Sequence, residues 1–468
     1  MNNQADPSKL STKERLGFLA KDSLLYGGAA ALSRAFSLIT FPLLARSFSV
    51  AEYGLIDLFV VWAGLLNIFF VFGQDSAVAR FYYEYQDDGE RKQIISQSLV
   101  FQICFIVALL PFLWHFSGPI AAKLTDNADG ELFLKIILLQ TPFTVLINFS
   151  QNLLKWTFAK YKFLALSLGQ VCLNLILLSL VLFFLERKIQ YILSVYLIVN
   201  TVFGIFGLYW IRHFLTFPSG VAKLRQLLPF AIPFGVVCCL AAFVPAIERS
   251  LVTQLVGKEE LGLYAAGLKV ASLIALFIQA FQMAWAPFAL SIYKEKDAPQ
   301  TYSWVLRLFS MSMCILTFCL AAVARPAILF FASERYVQSS LVVFPLTMGF
   351  AIESIGWITE IGIGISKKSY LGLYSYVLFV AATLAGIWLF VPSLGFFGVA
   401  LGSLLGKAVK AAFQSYLAQK AYPIDWPYKP VIFLILLSCL LGCSNCLILR
   451  GNSLATSFAF ILSSLGVA

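Results

Sequence analysis

Residues 43–65 read LLARSFSVAEYGLIDLFVVWAGL: the end of one apolar helix, a short polar turn, and a second apolar helix that runs on to Gln74. Stretches of this kind recur about fourteen times along the 468 residues, at 24–46, 54–74, 94–116, 132–154, 163–185, 190–211, 227–247, 262–290, 303–324, 339–364, 370–391, 395–417, 431–449 and 453–468. About 20 apolar residues in a helix cross the roughly 30 Å hydrocarbon core of a bilayer. No backbone crosses lipid with its polar groups unpaired, so spans are helices or strands of a closed barrel. These runs are nearly continuous, not alternating ten-residue strands, which selects helices. The expected fold is an all-α polytopic membrane protein.

Composition agrees. Hydrophobic residues make up 60% of the chain and charged residues 12%, too little polar surface for a soluble domain of this size. The net charge of +11 would suggest nucleic acid in a soluble protein. Here the cations fit better on cytoplasmic loops facing anionic lipid, so no nucleic-acid partner is expected. With the N-terminus inside, about nineteen loop cations fall on the inner side and eight on the outer, Arg249 among the eight. That bias places both termini in the cytoplasm. Residues 1–23 lack a short apolar core followed by a small-residue cleavage site, so no cleavable signal peptide is expected. The nine cysteines fall inside spans and read as small buried apolar residues.

The opening stretch has a partner. Residues 251–273 read LVTQLVGKEELGLYAAGLKVASL, again helix, turn and helix, with Glu260 and Gly262 matching Glu52 and Gly54 at an offset of about 208. Six spans separate the copies, so both have the same orientation, related by an axis along the membrane normal. The turn-forming Phe217-Pro218-Ser219-Gly220 lies between them. The expected organisation is a cytoplasmic segment (1–23), a first lobe of six spans (24–212), a linker (213–226), a second lobe of six spans (227–420) and a two-span appendage (421–468).

Function is sought in charges within the spans, because an ionised side chain at mid-bilayer costs about 3 kcal/mol or more. Arg34 lies near the middle of the first span. It either pairs with a carboxylate or helix-end carbonyl, or faces a ligand, since arginine suits phosphate recognition. Lys269 shares a stripe with Ser272, Gln279 and Gln282. Lys407 and Lys410 lie on the twelfth span, Lys410 within snorkelling reach of the interface. Glu353 and Glu360 lie two turns apart on the tenth. Glu353 either pairs with Arg34 or Lys269, or titrates as an ion-coupling site. Asp57 lies near the outer end of the second span, where an interfacial position would explain it. Uncharged stripes add Thr141, Thr144, Asn148 and Gln151 on the fourth span and Ser167, Gln170 and Asn174 on the fifth. Interhelical hydrogen bonding explains such stripes; a wet cavity that accepts sugar hydroxyls is the second reading. A net-basic polar interior suits an anionic, sugar-like substrate better than a lipophilic cation.

Phe41-Pro42-Leu43-Leu44-Ala45-Arg46, Ala51-Glu52-Tyr53-Gly54 and the run from Gly73 to Tyr83 (GQDSAVARFYY) resemble the start of polysaccharide transporter proteins. These are the Wzx-type flippases of lipid-linked oligosaccharides, in one superfamily with lipid II flippases and multidrug and toxin extruders. The resemblance covers the whole chain in span number and repeat. In motif it is confined to the first ninety or so residues and to 262–287. It implies two six-helix lobes in a V around a central cavity, alternating access, and two further C-terminal helices. It also implies a substrate, an undecaprenyl-linked oligosaccharide for O-antigen, lipopolysaccharide or capsule, with its polyprenyl tail left in lipid. The setting would be the bacterial inner membrane, with membrane lipids and other polysaccharide-assembly proteins as partners. By this resemblance Arg34 and Lys269 face the cavity, and Lys407, Asn148, Gln170 and Asn174 complete its expected lining.

The leading expectation is thus a flippase and not an enzyme, with no cofactor beyond a coupling ion, H⁺ or Na⁺, at Glu353, Glu360 or Asp57. No metal site is expected. A cation-coupled drug antiporter is the alternative, although its site should be acidic and aromatic. A membrane glycan polymerase would need a sizeable catalytic outer loop, and the loops here are short. The two histidines, His115 and His213, lie at opposite membrane faces, and there is no nucleotide motif.

Overall fold

The computed structural model describes residues 39–448 except 86, 158, 294, 367 and 369, together with 459, 460 and 463. Arg34, the segment 1–23, most of the expected first span and nearly all of the last lie outside the described residues. All described regular structure is helical. After helical residues 39–47 come α1 (Val50–Val71), α2 (Gln74–Glu84), α3 (Asp88–His115), α4 (Ser117–Leu124), α5 (Gly130–Trp156), α6 (Lys160–Phe184) and α7 (Ile189–Ile211). The second half has α8 (Ala222–Leu255), α9 (Lys258–Ala271), α10 (Ile274–Ile292), α11 (Ala298–Phe331), α12 (Ser340–Thr359) and α13 (Ile361–Ile365). It ends with α14 (Leu371–Leu394), α15 (Phe396–Ala421) and α16 (Tyr428–Ile448).

Eleven spans among the described residues are long and apolar enough to cross a membrane, and α9 with α10, bent by 46°, makes a twelfth. They coincide with the twelve expected spans that fall within the described residues. Large apolar side chains on their outer faces are open to the surroundings: Phe183 and Phe184 are each 80% exposed and Phe433 69%. Exposed apolar surface on this scale is stable only against lipid. The chain is a multi-pass membrane protein.

The repeat reappears as symmetric contacts. Ser49 caps α1, its Oγ accepting from Glu52 N at 3.3 Å while Glu52 Oε2 accepts from Ser49 N at 2.9 Å. This reciprocal box satisfies two otherwise orphaned donors. At the offset of 208, Gly257 holds the cap position of α9, and a Cβ there would lie 2.7 Å from Glu260 Oε2. Both turns therefore fold a Glu back over the helix start. Arg46 reaches across to the last carbonyls of α11, its Nε donating to Ala332 O at 3.0 Å. Its counterpart Gln254 donates to Lys123 O near the end of α4. In each direction a side chain before the turn caps a helix C-terminus of the opposite half.

The halves also meet at the opposite end. Phe72 and Gly73 adopt left-handed backbone (φ 44° and 71°) between α1 and α2. A Cβ on Gly73 would come within 2.6 Å of Gly235 N on α8. Glycine thus serves both the positive φ and the close backbone approach. α8 is consequently held against the first half at one end and against α1 again further along, where Trp62 Nε1 donates to Ser250 Oγ at 3.1 Å.

Candidate functional site

Two polar cavities lie inside the bundle. The first, about 410 Å³, is walled by α1, α5, α6, α7 and the end of α9. Its lining includes Asn67, Gln140, Thr144, Gln170, Asn174, Tyr196 and Asn200 from the first half and Lys269 from the second. Three of these amides are joined: Gln170 Nε2 donates to Asn200 Oδ1 at 2.9 Å, and Asn200 Nδ2 to Gln140 Oε1 at 3.4 Å. Local geometry explains the wall. The expected stripes on the fourth and fifth spans, spaced by three or four, turn one polar face inward from α5 and α6. Thr144, Gln170, Asn174 and Lys269 are brought together at this cavity. Asn148 is one turn beyond Thr144, accepts from Asn152 Nδ2 at 2.9 Å, and does not line the cavity.

The second cavity, about 250 Å³, lies in the second half between α8, α9, α12, α14 and α15. Glu248, Arg249, Glu353 and Lys407 line it, with Tyr376, Phe350 and Ser403. Its charges, Lys407 apart, are held in ion pairs. Arg249 Nε bonds Asp57 Oδ2 at 3.1 Å, Arg249 Nη1 lies 3.8 Å from Glu248 Oε2, and Tyr264 OH donates to that oxygen at 3.0 Å. On the other side Lys410 Nζ bonds Glu353 Oε1 at 2.6 Å and rests 3.9 Å over the Tyr376 ring. Lys407 Nζ sits 3.6 Å over the Phe350 ring, a cation–π contact that partly replaces hydration. Buried charges persist only when paired in this way.

Several expectations change. Lys410 does not snorkel: it is 2% exposed and bridges α15 to α12. Asp57 is not interfacial: it is 7% exposed and binds Arg249. Arg249, assigned to an outer loop, is buried because α8 continues to Leu255, eight residues past the expected span end. Adjacent Glu248 and Arg249, with another turn and more of helix-compatible sequence behind them, carried that signal. Glu353 pairs with Lys410 rather than with Lys269, and its expected alternative partner, Arg34, is outside the described residues. Glu360 accepts from Gln414. Lys269 and Lys407 line different cavities: among the described residues the first is amide-rich with Lys269 as its one cation, and the second holds charges of both signs. Of the cysteines only Cys314 and Cys446 are buried; Cys104, Cys172 and Cys319 lie exposed on the apolar flanks.

Residues 19–292, more than half of the chain, match the model of a family described as polysaccharide biosynthesis protein. An uncharacterized membrane protein of Haemophilus influenzae is 22% identical over 356 residues, 71% of this chain and 81% of that protein. Among solved structures, the lipid II flippase MurJ in an inward closed conformation superposes with a TM-score of 0.73, at 16% identity, over 95% of this chain and 97% of that one. An inward-facing multidrug resistance MATE family transporter of the MOP superfamily gives 0.70 at 14% identity, over 83% and 94%. At such identities the likeness shows a shared fold.

Proposed function

Because the chain belongs to the polysaccharide biosynthesis protein family, we propose that it is a flippase for a polyprenyl-pyrophosphate-linked oligosaccharide, working by alternating access in the bacterial plasma membrane. The observation that carries this reading is the amide-lined cavity of the membrane bundle, completed by Lys269 across the seam between the halves. The physical difficulty of the task is to move a hydroxylated, anionic head group through hydrocarbon. Such a group loses hydration at a cost that only hydrogen bonds and counter-charge offset. The amides supply the first and Lys269 the second, while the isoprenoid tail stays in lipid. The halves touch at both ends of the bundle, at Gly54 and Gly262 and at Gly73 and Gly235; rocking of the halves would open one end at a time.

The loops support transport rather than catalysis, and the charge balance of the second cavity counts against a lipophilic cation as cargo. Coupling to H⁺ or Na⁺ at an acid of the second half, both termini in the cytoplasm, and a place in surface-glycan assembly complete the proposal. Deleting the gene from its host tests it: lipid-linked oligosaccharide should accumulate and surface glycan should vanish, both restored by the parent chain. Unchanged surface glycan in the deletion would refute the reading.

A further inference from the structure

Arg307 and Arg325 lie 18 positions apart on α11 with no charge between them. At 1.5 Å per residue that is about 27 Å of helix, close to the roughly 30 Å hydrocarbon core of a bilayer. Arg307 therefore stands where hydrocarbon gives way to lipid headgroups. Its neighbours look outward: Trp304, one turn nearer the helix start, is 63% exposed and Leu308 58%. Tryptophan at that depth is characteristic of the membrane interface.

Arg307 and Trp304 line a polar pocket of about 240 Å³ with Gln300, Ser303 and Asp425. Asp425 comes from the segment between α15 and α16, which is fixed in place. Ser303 Oγ donates to Asp425 O at 2.8 Å, Gln419 Nε2 donates to Ile424 O at 2.8 Å, and Trp426 stacks on Tyr302 with ring centroids 6.1 Å apart. Arg307 and Asp425 are both exposed, and among the described residues neither has an ion-pair partner. A cation and an anion thus share one pocket without neutralising each other. A guanidinium at this depth is matched by a lipid phosphate. The carboxylate beside it repels a headgroup that is only anionic and attracts an ammonium. We propose that this pocket holds the headgroup of a zwitterionic phospholipid with a primary amine, of the phosphoethanolamine type. Arg307 and the Gln300 amide take its phosphate, Asp425 takes its ammonium, and its chains run along the exposed Leu308 and Met311. The inference requires only that the chain spans a membrane and is independent of what it transports.

The test is native mass spectrometry of the purified full-length protein with dioleoyl phosphatidylethanolamine, phosphatidylcholine and phosphatidylglycerol. Phosphatidylcholine keeps both charges but has no N–H to donate; phosphatidylglycerol keeps the phosphate and lacks the ammonium. The parent should hold its first phosphatidylethanolamine roughly three- to tenfold more tightly than either of the others. Asp425→Asn should erase the preference over phosphatidylglycerol, and Arg307→Gln should weaken phosphatidylethanolamine severalfold. Both side chains are exposed, so each variant should keep the parent's thermal transition in lipid-free detergent. Equal binding of the three lipids by the parent would overturn the proposal. So would tighter binding of phosphatidylglycerol, which would make this a plain anion site, or an undiminished preference in Asp425→Asn.

Discussion

Gly54 and Gly262, equivalent positions of the two repeats, pack directly on each other. A Cβ on Gly54 would lie 2.6 Å from Gly262 N, and a Cβ on Gly262 would overlap Val50 O. Lys258, the repeat partner of Val50, offers its carbonyl to Gly54 in the same way, at 3.0 Å from the added Cβ. Two helices thus cross at a point of approximate two-fold symmetry, and only small residues allow that approach. Tyr53 packs beside it, edge-on to Tyr336 at 5.9 Å.

Gly262→Leu should therefore hold this end of the bundle apart without unfolding it. In a background lacking the nine native cysteines, Tyr53→Cys is expected to resist a membrane-impermeant maleimide while Gly262 is present and to react when Leu replaces it. Equal protection in both would show that the crossing does not govern closure.

The Asp57–Arg249 pair ties α1 to α8 where both side chains are almost fully enclosed. Arg249→Met strands Asp57 beside Glu248, and removing one member of a buried pair typically costs about 3–5 kcal/mol. The thermal transition of the purified protein should fall by several degrees, and Asp57→Asn in the same chain should recover much of the loss. A single variant as stable as the parent would contradict the buried geometry.

Much of this was legible beforehand, for reasons particular to each element. Twelve spans declared themselves because lipid demands long unbroken apolar helices, and the 43–65 and 251–273 match exposed the symmetry because both copies keep the Glu of the turn and the crossing glycine. The polar stripe of Gln170 and Asn174 followed from helical spacing, and the cavity-facing place of Lys269 from the family resemblance. The charge pairs did not. Asp57 and Lys410 lie near span ends by count, where an interfacial position costs nothing. Only the run of α8 to Leu255 and the packing of α15 on α12 reveal their partners. Long-range pairing leaves no local periodicity, so Arg249, 192 residues from Asp57, had no signal on its own helix beyond its neighbour Glu248.

Ion coupling is expected to involve Glu360, on the tenth expected span and bonded by Gln414 alone among the described side chains. Its neighbour Glu353 is already held by Lys410. Glu360→Gln should leave binding of substrate intact and remove the acceleration of transport by an imposed H⁺ or Na⁺ gradient. Acceleration equal to the parent's would assign coupling elsewhere.

Orientation is open to a direct test. Lys162, in the first turn of α6, and Lys188, in the turn between α6 and α7, are exposed at opposite ends of that span. With cytoplasmic termini, an impermeant maleimide applied to intact spheroplasts should label Lys188→Cys and spare Lys162→Cys until the membrane is permeabilised. The reverse pattern would invert the topology.

The central claim is that the amide-lined cavity of the first half, completed by Lys269 of the second, carries a glycolipid head group past the hydrocarbon. The most direct measurement is flipping in proteoliposomes, read as the fraction of an undecaprenyl-pyrophosphate-linked sugar that becomes accessible to an external lectin with time. The parent should bring accessibility from about half to near completion, and Lys269→Met should slow the approach by roughly ten- to a hundredfold, the worth of one charge-assisted contact of about 1.5–3 kcal/mol. Protein-containing vesicles that stay at the level of protein-free ones, or a Lys269→Met rate equal to the parent's, would contradict the account.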